Sequence, residues 1–347
     1  MLGAVVEPAQ VGGRCFRLPS ASVTPVHGGE FEVIARIQQR LGPAAGGDQR
    51  VPQPGAGEVF SGDDAAVLVT PTGRLLLAID LVVEGVHVDL SLGSLADVGW
   101  KAVSVNASDI AAMGGRPLHV VAGVSAPPGT DLEAVADGML EACATYGIAL
   151  VGGDLTGGSR LVVSVAITGT CAETGPVLRS GAKPGDAIWV SGPLGASAAG
   201  LALLQSGESP LETPTAGGEA LIAAYRRPIA RLAEGRAAAA AGATAMIDVS
   251  DGLSRDLGHI ASQSGVGLRL SSVPVAEGAS LEEALGGGED YELVFTAPPA
   301  ARVLETFAAS ALRPPVRIGV CSGDTAERTL DGTELETTGW EHSFGQE

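Results

Sequence analysis

Five short segments of this chain put aspartate where the backbone is expected to turn sharply: Gly62-Asp63-Asp64, Ile79-Asp80, Ser108-Asp109, Gly152-Gly153-Asp154 and Asp248-Val249-Ser250-Asp251-Gly252. Most follow an apolar run that reads as a buried element. A fold that packs those runs together also draws their carboxylates together. Two carboxylates about 4 Å apart repel by roughly 4 kcal/mol at an effective dielectric near 20. A chain that concentrates them needs a cation, so the pattern implies a Mg2+ site suited to phosphate-bearing ligands.

The 347 residues allow two domains, and 45% apolar composition supplies a core for each. A formal charge of −19 disfavours nucleic acid and anionic membrane surfaces, which need a basic patch. A polyanionic substrate must then arrive with metal. Lys101 and Lys183 are the only lysines, so a phosphate clamp is expected to use arginine or magnesium. Cys15, Cys143, Cys171 and Cys321 have neither C-x-x-C spacing nor disulfide-scaffold density, which suits a reducing, cytoplasmic setting. Glu7, Arg14 and Arg17 interrupt the first segment, so no signal peptide is expected, and no apolar run reaches membrane-spanning length.

Residues 1–28 lack periodicity and read as an extension that stays disordered. Helical spacing begins at Phe31 and is followed by a Gly/Pro-rich loop over 42–57, expected to act as a mobile cover. Apolar runs at 65–69 and 75–79, separated by Thr70-Pro71-Thr72-Gly73, predict a hairpin flanked by Asp64 and Asp80. A helical stripe runs over 95–113, with Asp109 near its C-terminus, where the helix dipole disfavours an anion. Strands are expected at 118–124 and 161–168, bracketing a helix over 131–146, with residues 149–151 running into the Gly152-Gly153-Asp154 turn. The chain restarts near 174, which divides it into residues 29–173 and 174–347. The second part carries strands at 187–191, 245–249, 266–270, 291–296 and 316–320. Its helices are expected at 196–204, 218–225, 228–241 with Pro228 in the first turn, 253–264 and 299–309. This alternation predicts an α/β (α+β) architecture.

The strongest local signal is Asp248-Val249-Ser250-Asp251-Gly252, where two carboxylates leave a strand and enter a helix N-terminus. Its backbone amides are expected to hold phosphate oxygens while the carboxylates hold metal. Capping by Ser250 or Asp251 would explain one acidic residue but not the pair. Gly62-Asp63-Asp64 and Gly152-Gly153-Asp154, each taken alone, are ordinary turns. His87 offers acid/base chemistry, although a lone histidine is more often structural. Glu289, in Gly287-Gly288-Glu289-Asp290-Tyr291-Glu292, could meet a cationic ligand. Neither lysine sits in a P-loop, no Rossmann glycine fingerprint opens a helix, and the protein-kinase motifs are missing.

Taken in order, these segments resemble the thiamine-monophosphate kinase family. The resemblance rests on Gly62 to Ala66, Asp80 to His87, Lys101 to Gly114, Val151 to Asp154, Arg179 to Asp186, Ile247 to Gly252 and Gly287 to Leu293. It covers the chain from about residue 29 and places it within the aminoimidazole ribonucleotide synthetase-like superfamily. The resemblance implies an N-terminal α+β domain that pairs across a homodimer, a C-terminal α/β domain, and ATP with several Mg2+ ions between them. It also implies metal ligands at Asp64, Asp80, Asp109, Asp154, Asp248 and Asp251. Of these, Asp109 and Asp251 are expected to be the ligands essential to a direct phosphoryl transfer. Nucleotide contacts fall at Gly153, Asp154, Arg179 and Ser250. Contacts to thiamine monophosphate fall at His87, Glu289 and Trp340, where a carboxylate and an indole suit a cationic ring. The family's hydroxyl pair before Asp80 is replaced here by Ala78-Ile79, and its phenylalanine after the histidine by Val88. Two alternatives stay open: a related ATP-dependent synthetase or maturation enzyme forming an acyl phosphate or iminophosphate, and a non-catalytic nucleotide-binding module.

Overall fold

The computed structural model describes residues 56–59, 63–70, 73–206, 217–299 and 301–342. The expected helix after Phe31, most of the loop over 42–57 and the extension 1–28 lie outside the described residues. The first half contains β1 (Ala66–Thr70), β2 (Gly73–Val83), α1 (Leu95–Ala112), β3 (Arg116–Ala126), α2 (Leu132–Tyr146), β4 (Ala149–Gly157) and β5 (Val162–Thr170). Its sheet has the order β1-β2-β5-β3-β4, antiparallel except for the β3–β4 pair. Burial alternates along β2 and β5, so Leu76, Ala78, Val82, Val163, Val165 and Ile167 face the helices. Leu77, Ile79, Leu81 and Val121 stand on the opposite, uncovered side.

The second half contains β6 (Ala187–Val190), α3 (Ala196–Ser206), α4 (Gly218–Arg226), α5 (Leu232–Ala240), β7 (Ala245–Asp248) and α6 (Leu253–Ser264). These are followed by β8 (Gly267–Leu270), α7 (Leu281–Gly286), β9 (Leu293–Ala297), α8 (Val303–Ala309), β10 (Val316–Ser322), β11 (Arg328–Leu330) and β12 (Thr333–Glu334). The second sheet runs β12-β11-β8-β10-β6-β9-β7. Among the described residues no helix is long and apolar enough to cross a membrane.

Helix α1 joins the halves. A reciprocal capping box between Ser94 and Asp97 starts it, and it packs against β2 and β5 on one side, α2 and α5 on others, and β7 of the second sheet. Almost every residue from Val98 to Ala112 is buried, as expected of a helix enclosed on all sides. Its last turn therefore lies between the two sheets.

Three expectations are corrected here. Asp80 is not a turn residue, because β2 continues through it to Val83, pairing Asp80 with Val165. Gly152-Gly153-Asp154 is likewise strand, since parallel pairing with β3 extends β4 to Gly157 despite the low strand propensity of glycine. Helix α5 begins at Leu232 rather than at 228, and the Pro228 carbonyl instead accepts the Trp100 indole N–H at 2.8 Å.

Candidate active site

The acids of the first half reach the cleft by strand parity and helix packing. Asp64 ends the segment entering β1 and is buried. Asp80 shares the inward parity of Leu76, Ala78 and Val82, and its backbone N–H donates to Asn106 Oδ1 on α1 at 3.0 Å. Asp109 lies about one turn further along α1. Asp248, the last residue of β7, completes the group, and the Ser108 hydroxyl donates to its Oδ2 at 2.5 Å. Carboxylate oxygens of Asp64, Asp109 and Asp248 lie within 4.8 Å of one another. Burial, then the neighbouring Asp80, Asp248 and Asp64 charges, push the Asp109 carboxyl well above its ordinary range. Burial and Asp64 do the same to Asp248. Arg179 offsets part of this charge: its Nε and Nη2 donate to Asp64 Oδ2 and Oδ1 at 3.0 and 2.9 Å, a bidentate fork. The Arg179 backbone N–H meanwhile donates to both oxygens of Asp63.

The turn after β7 is held by a residue that sequence reading passed over. Asp256 is buried in α6, and its Oδ2 accepts the backbone N–H groups of Ser250, Asp251 and Gly252 at 3.1, 3.2 and 3.1 Å. These three amides are the ones expected to bind phosphate, and an internal carboxylate already occupies them. Gly252 closes the turn at a φ of 120°, where a side chain would be strained and a Cβ would approach Gly286 Cα to 2.9 Å. The turn's carbonyls are committed as well: Ser250 accepts from the Glu289 N–H at 2.7 Å and Asp251 from the Trp340 N–H at 3.0 Å.

That stitching leads to a second cluster. The Glu289 carboxylate meets Lys101 Nζ at 3.1 Å, and Lys101, almost wholly buried, also sits 4.3 Å over the Tyr225 ring and 3.5 Å from the His87 carbonyl. His87 Nδ1 accepts the Val83 backbone N–H at 3.1 Å, which leaves the ring proton on Nε2. Burial, His342 and Lys101 pull the His87 pKa down to about 4, so the ring is neutral near pH 7. Its edge meets His342 at 5.3 Å, and His342 meets Trp340 at 5.8 Å. A shallow cleft beside Lys101, open to solvent, is bordered by Val88, Asp97, Tyr225 and Arg226.

Models of the AIR synthase related protein family match the chain twice, the N-terminal domain over residues 62–171 and the C-terminal domain over 183–331. The thiamine-monophosphate kinase of Mycobacterium tuberculosis is 40% identical over 282 residues, covering 77% of this chain and 80% of that protein. The Bacillus subtilis enzyme of the same name is 34% identical over 304 residues, with 82% and 93% covered. The chain belongs to the thiamine-monophosphate kinase family. A solved structure of a relative, AaThiL complexed with AMPPCP and TMP, matches with a TM-score of 0.76 and 32% identity, over 90% of this chain and 97% of its own.

Of the residues singled out by resemblance to the thiamine-monophosphate kinase family, Asp64, Asp109 and Asp248 converge, with Asp80 close enough to act on Asp109 and Asp248. Asp251 and Ser250 border them on the pinned turn, and Arg179 is engaged with Asp64. His87, Glu289 and Trp340 come together through Lys101 and His342. Gly153 and Asp154 do not join either group. Asp154 pairs with Gly123, two residues from the outward-facing Val121, and is exposed on the far side of the first sheet. Sequence reading gave no site role to Lys101, Ser108 or Asp256. The signal for Lys101 was present as a charge on the apolar stripe of Val98, Ala102 and Val105. Asp256 looks like an ordinary first-turn acid complementing a helix dipole, so nothing local marks it.

Proposed function

We infer that this chain transfers the γ-phosphoryl group of ATP to thiamine monophosphate, giving thiamine diphosphate and ADP. The observation that carries the reading is the convergence of Asp64, Asp109 and Asp248 from three separate elements, in a chain whose relative binds AMPPCP, an ATP analogue, together with TMP. An all-carboxylate donor set in which burial and then neighbouring acids hold the Asp109 and Asp248 carboxyls above their ordinary range fits a hard divalent cation. Asp64, Asp109 and Asp248 would hold Mg2+, with Asp80 and Asp251 at its border. The Asp64 oxygens keep lone pairs for this beside the Arg179 fork. When bound, Mg2+ neutralises phosphate-oxygen charge. The acceptor phosphate is already anionic, so no strong base is required and alignment dominates. His87, neutral and with Nδ1 engaged, suits an orienting contact rather than a cationic clamp. Glu289 and the half-exposed Trp340 supply a carboxylate and an indole for the thiazolium and pyrimidine rings. The purified protein incubated with ATP, Mg2+ and thiamine monophosphate should form thiamine diphosphate, and EDTA should abolish it. ATP bound without any diphosphate product would overturn the assignment.

The change of sheet between Thr170 and Ala187 supports a domain boundary near residue 174. The uncovered side chains of Leu77, Ile79, Leu81 and Val121 support a homodimer through the first sheet, which would also bury Asp154 against the partner. Cys143, Cys171 and Cys321 are free thiols, which supports a reducing, cytoplasmic compartment.

A further inference from the structure

The segment following β12 crosses the molecule to reach the acidic turn, and one helical turn of α6 holds it there. Ser254 Oγ accepts the Thr338 N–H at 2.8 Å and lies 2.9 Å from the Thr338 carbonyl. Arg255 Nη1 pairs with Glu341 at 3.1 Å while its Nη2 donates to the Gly339 carbonyl at 3.3 Å. Between them Gly339 adopts a φ of 133°, and a Cβ there would lie 2.5 Å from the Asp251 carbonyl oxygen. The strap is therefore seated directly on the turn that carries Asp251. The next residue, Trp340, is fixed through its backbone N–H to that same carbonyl while its indole stays about half exposed and meets His342, which in turn meets His87.

We propose that Arg255 is a positioning residue for the acceptor: by clamping Gly339 and Glu341 on either side of Trp340, it sets the place of the indole relative to the acidic turn. The inference rests on the reading that Trp340 contacts thiamine monophosphate. The two bonds that the Arg255 guanidinium makes to the strap, to Glu341 and to the Gly339 carbonyl, fall on either side of Trp340. Its effect should therefore appear in acceptor binding and leave nucleotide binding unchanged. The same first turn supplies Asp256 to the acidic turn and Ser254 to Thr338, so the distance between metal side and acceptor side is set within three consecutive residues.

The test is steady-state kinetics on Arg255→Ala, Glu341→Gln, Trp340→Ala and the Arg255→Ala/Trp340→Ala double variant, with KM measured for each substrate while the other saturates. Arg255→Ala should raise KM for thiamine monophosphate about tenfold and leave KM for ATP within about twofold. Glu341→Gln, an exposed change that spares folding, should move KM for thiamine monophosphate in the same direction by less. The double variant should be no worse than Trp340→Ala alone, because a residue acting through the indole has nothing left to position. Additive losses, or equal losses for both substrates, would show a general structural role and overturn the proposal. A normal acceptor KM in Trp340→Ala would overturn the underlying reading and this inference with it. A raised KM in Trp340→Ala beside an unchanged Arg255→Ala would overturn this inference alone.

Discussion

Asp109 carries the sharpest conflict between stability and function at the residue scale. Its carboxylate is buried and sits among Asp80, Asp248 and Asp64, so without a cation its ionised form is unfavourable. Asp109→Asn should therefore lower turnover by about 100-fold or more through loss of a metal ligand while leaving the melting temperature of the metal-free protein equal or higher. Calorimetry and the diphosphate assay on one preparation test both halves of that expectation. His87 gives an expectation of the opposite kind. With its pKa near 4 and falling outside the working range, it keeps one protonation state from about pH 5.5 upward. The pH profile of kcat/KM for thiamine monophosphate should show no inflection between pH 5.5 and 8.5 that disappears in His87→Gln. Such an inflection would mean that His87 gains or loses a proton during turnover.

Among elements, α1 and the loop before β9 are joined by Lys101 and Glu289, which are 188 residues apart in sequence. Glu289 keeps some solvent contact, so the pair contributes less than a fully buried one, and the cost lies mainly in stranding Lys101. Glu289→Gln should lower stability by about 1–3 kcal/mol. Lys101→Met combined with Glu289→Gln should recover part of that loss, which urea denaturation of the single and double variants would reveal. A double variant less stable than Glu289→Gln would contradict the stranded-charge account. The boundaries of α1, α2 and α6 were legible because their apolar stripes and flanking cap residues agree. The extension of β2 through Asp80 and of β4 through Gly152, Gly153 and Asp154 was not. Glycine and aspartate look like turn residues locally, and only a neighbouring strand already in place makes them continue the ladder.

For the molecule as a whole, the concentration of buried acid dictates how stability depends on pH. Burial raises Asp63 and Asp290 to about 7, although Asp290 accepts the Gly195 and Ser197 N–H groups. The unfolded chain releases these protons near pH 4, whereas the folded chain holds them to about pH 7. The folded state thus binds more protons in that window, and stability falls as pH rises through it. Metal-free protein should melt at a lower temperature at pH 8 than at pH 5, with a shallower slope in Asp290→Asn. A melting temperature that rises over that interval would contradict the sign. The uncovered sheet face makes a separate prediction at this scale. Ile79→Lys should shift the protein from dimer to monomer in sedimentation velocity while leaving its secondary structure intact. A wild-type protein that sediments as a monomer at micromolar concentration would remove the case for pairing through this face.

Sequence alone determined which residues could carry charge chemistry and the order of most helices and strands, since caps, apolar periodicity and turn residues act over a few positions. It also pointed to the family, because seven short segments in one order are improbable by chance. Tertiary structure decided which acids share a centre. Asp64, Asp109 and Asp248 meet because α1 is packed between two sheets, while Asp154 is turned away by the parity of β4 against β3. Tertiary structure also assigned the amides of the Asp248–Gly252 turn to Asp256 rather than to phosphate, and gave Glu289 a lysine partner. These outcomes depend on strand register and on contacts between residues more than a hundred positions apart, such as Ser108 with Asp248. Strand alternation reverses a side chain's face with every single-residue step, so local pattern cannot specify them.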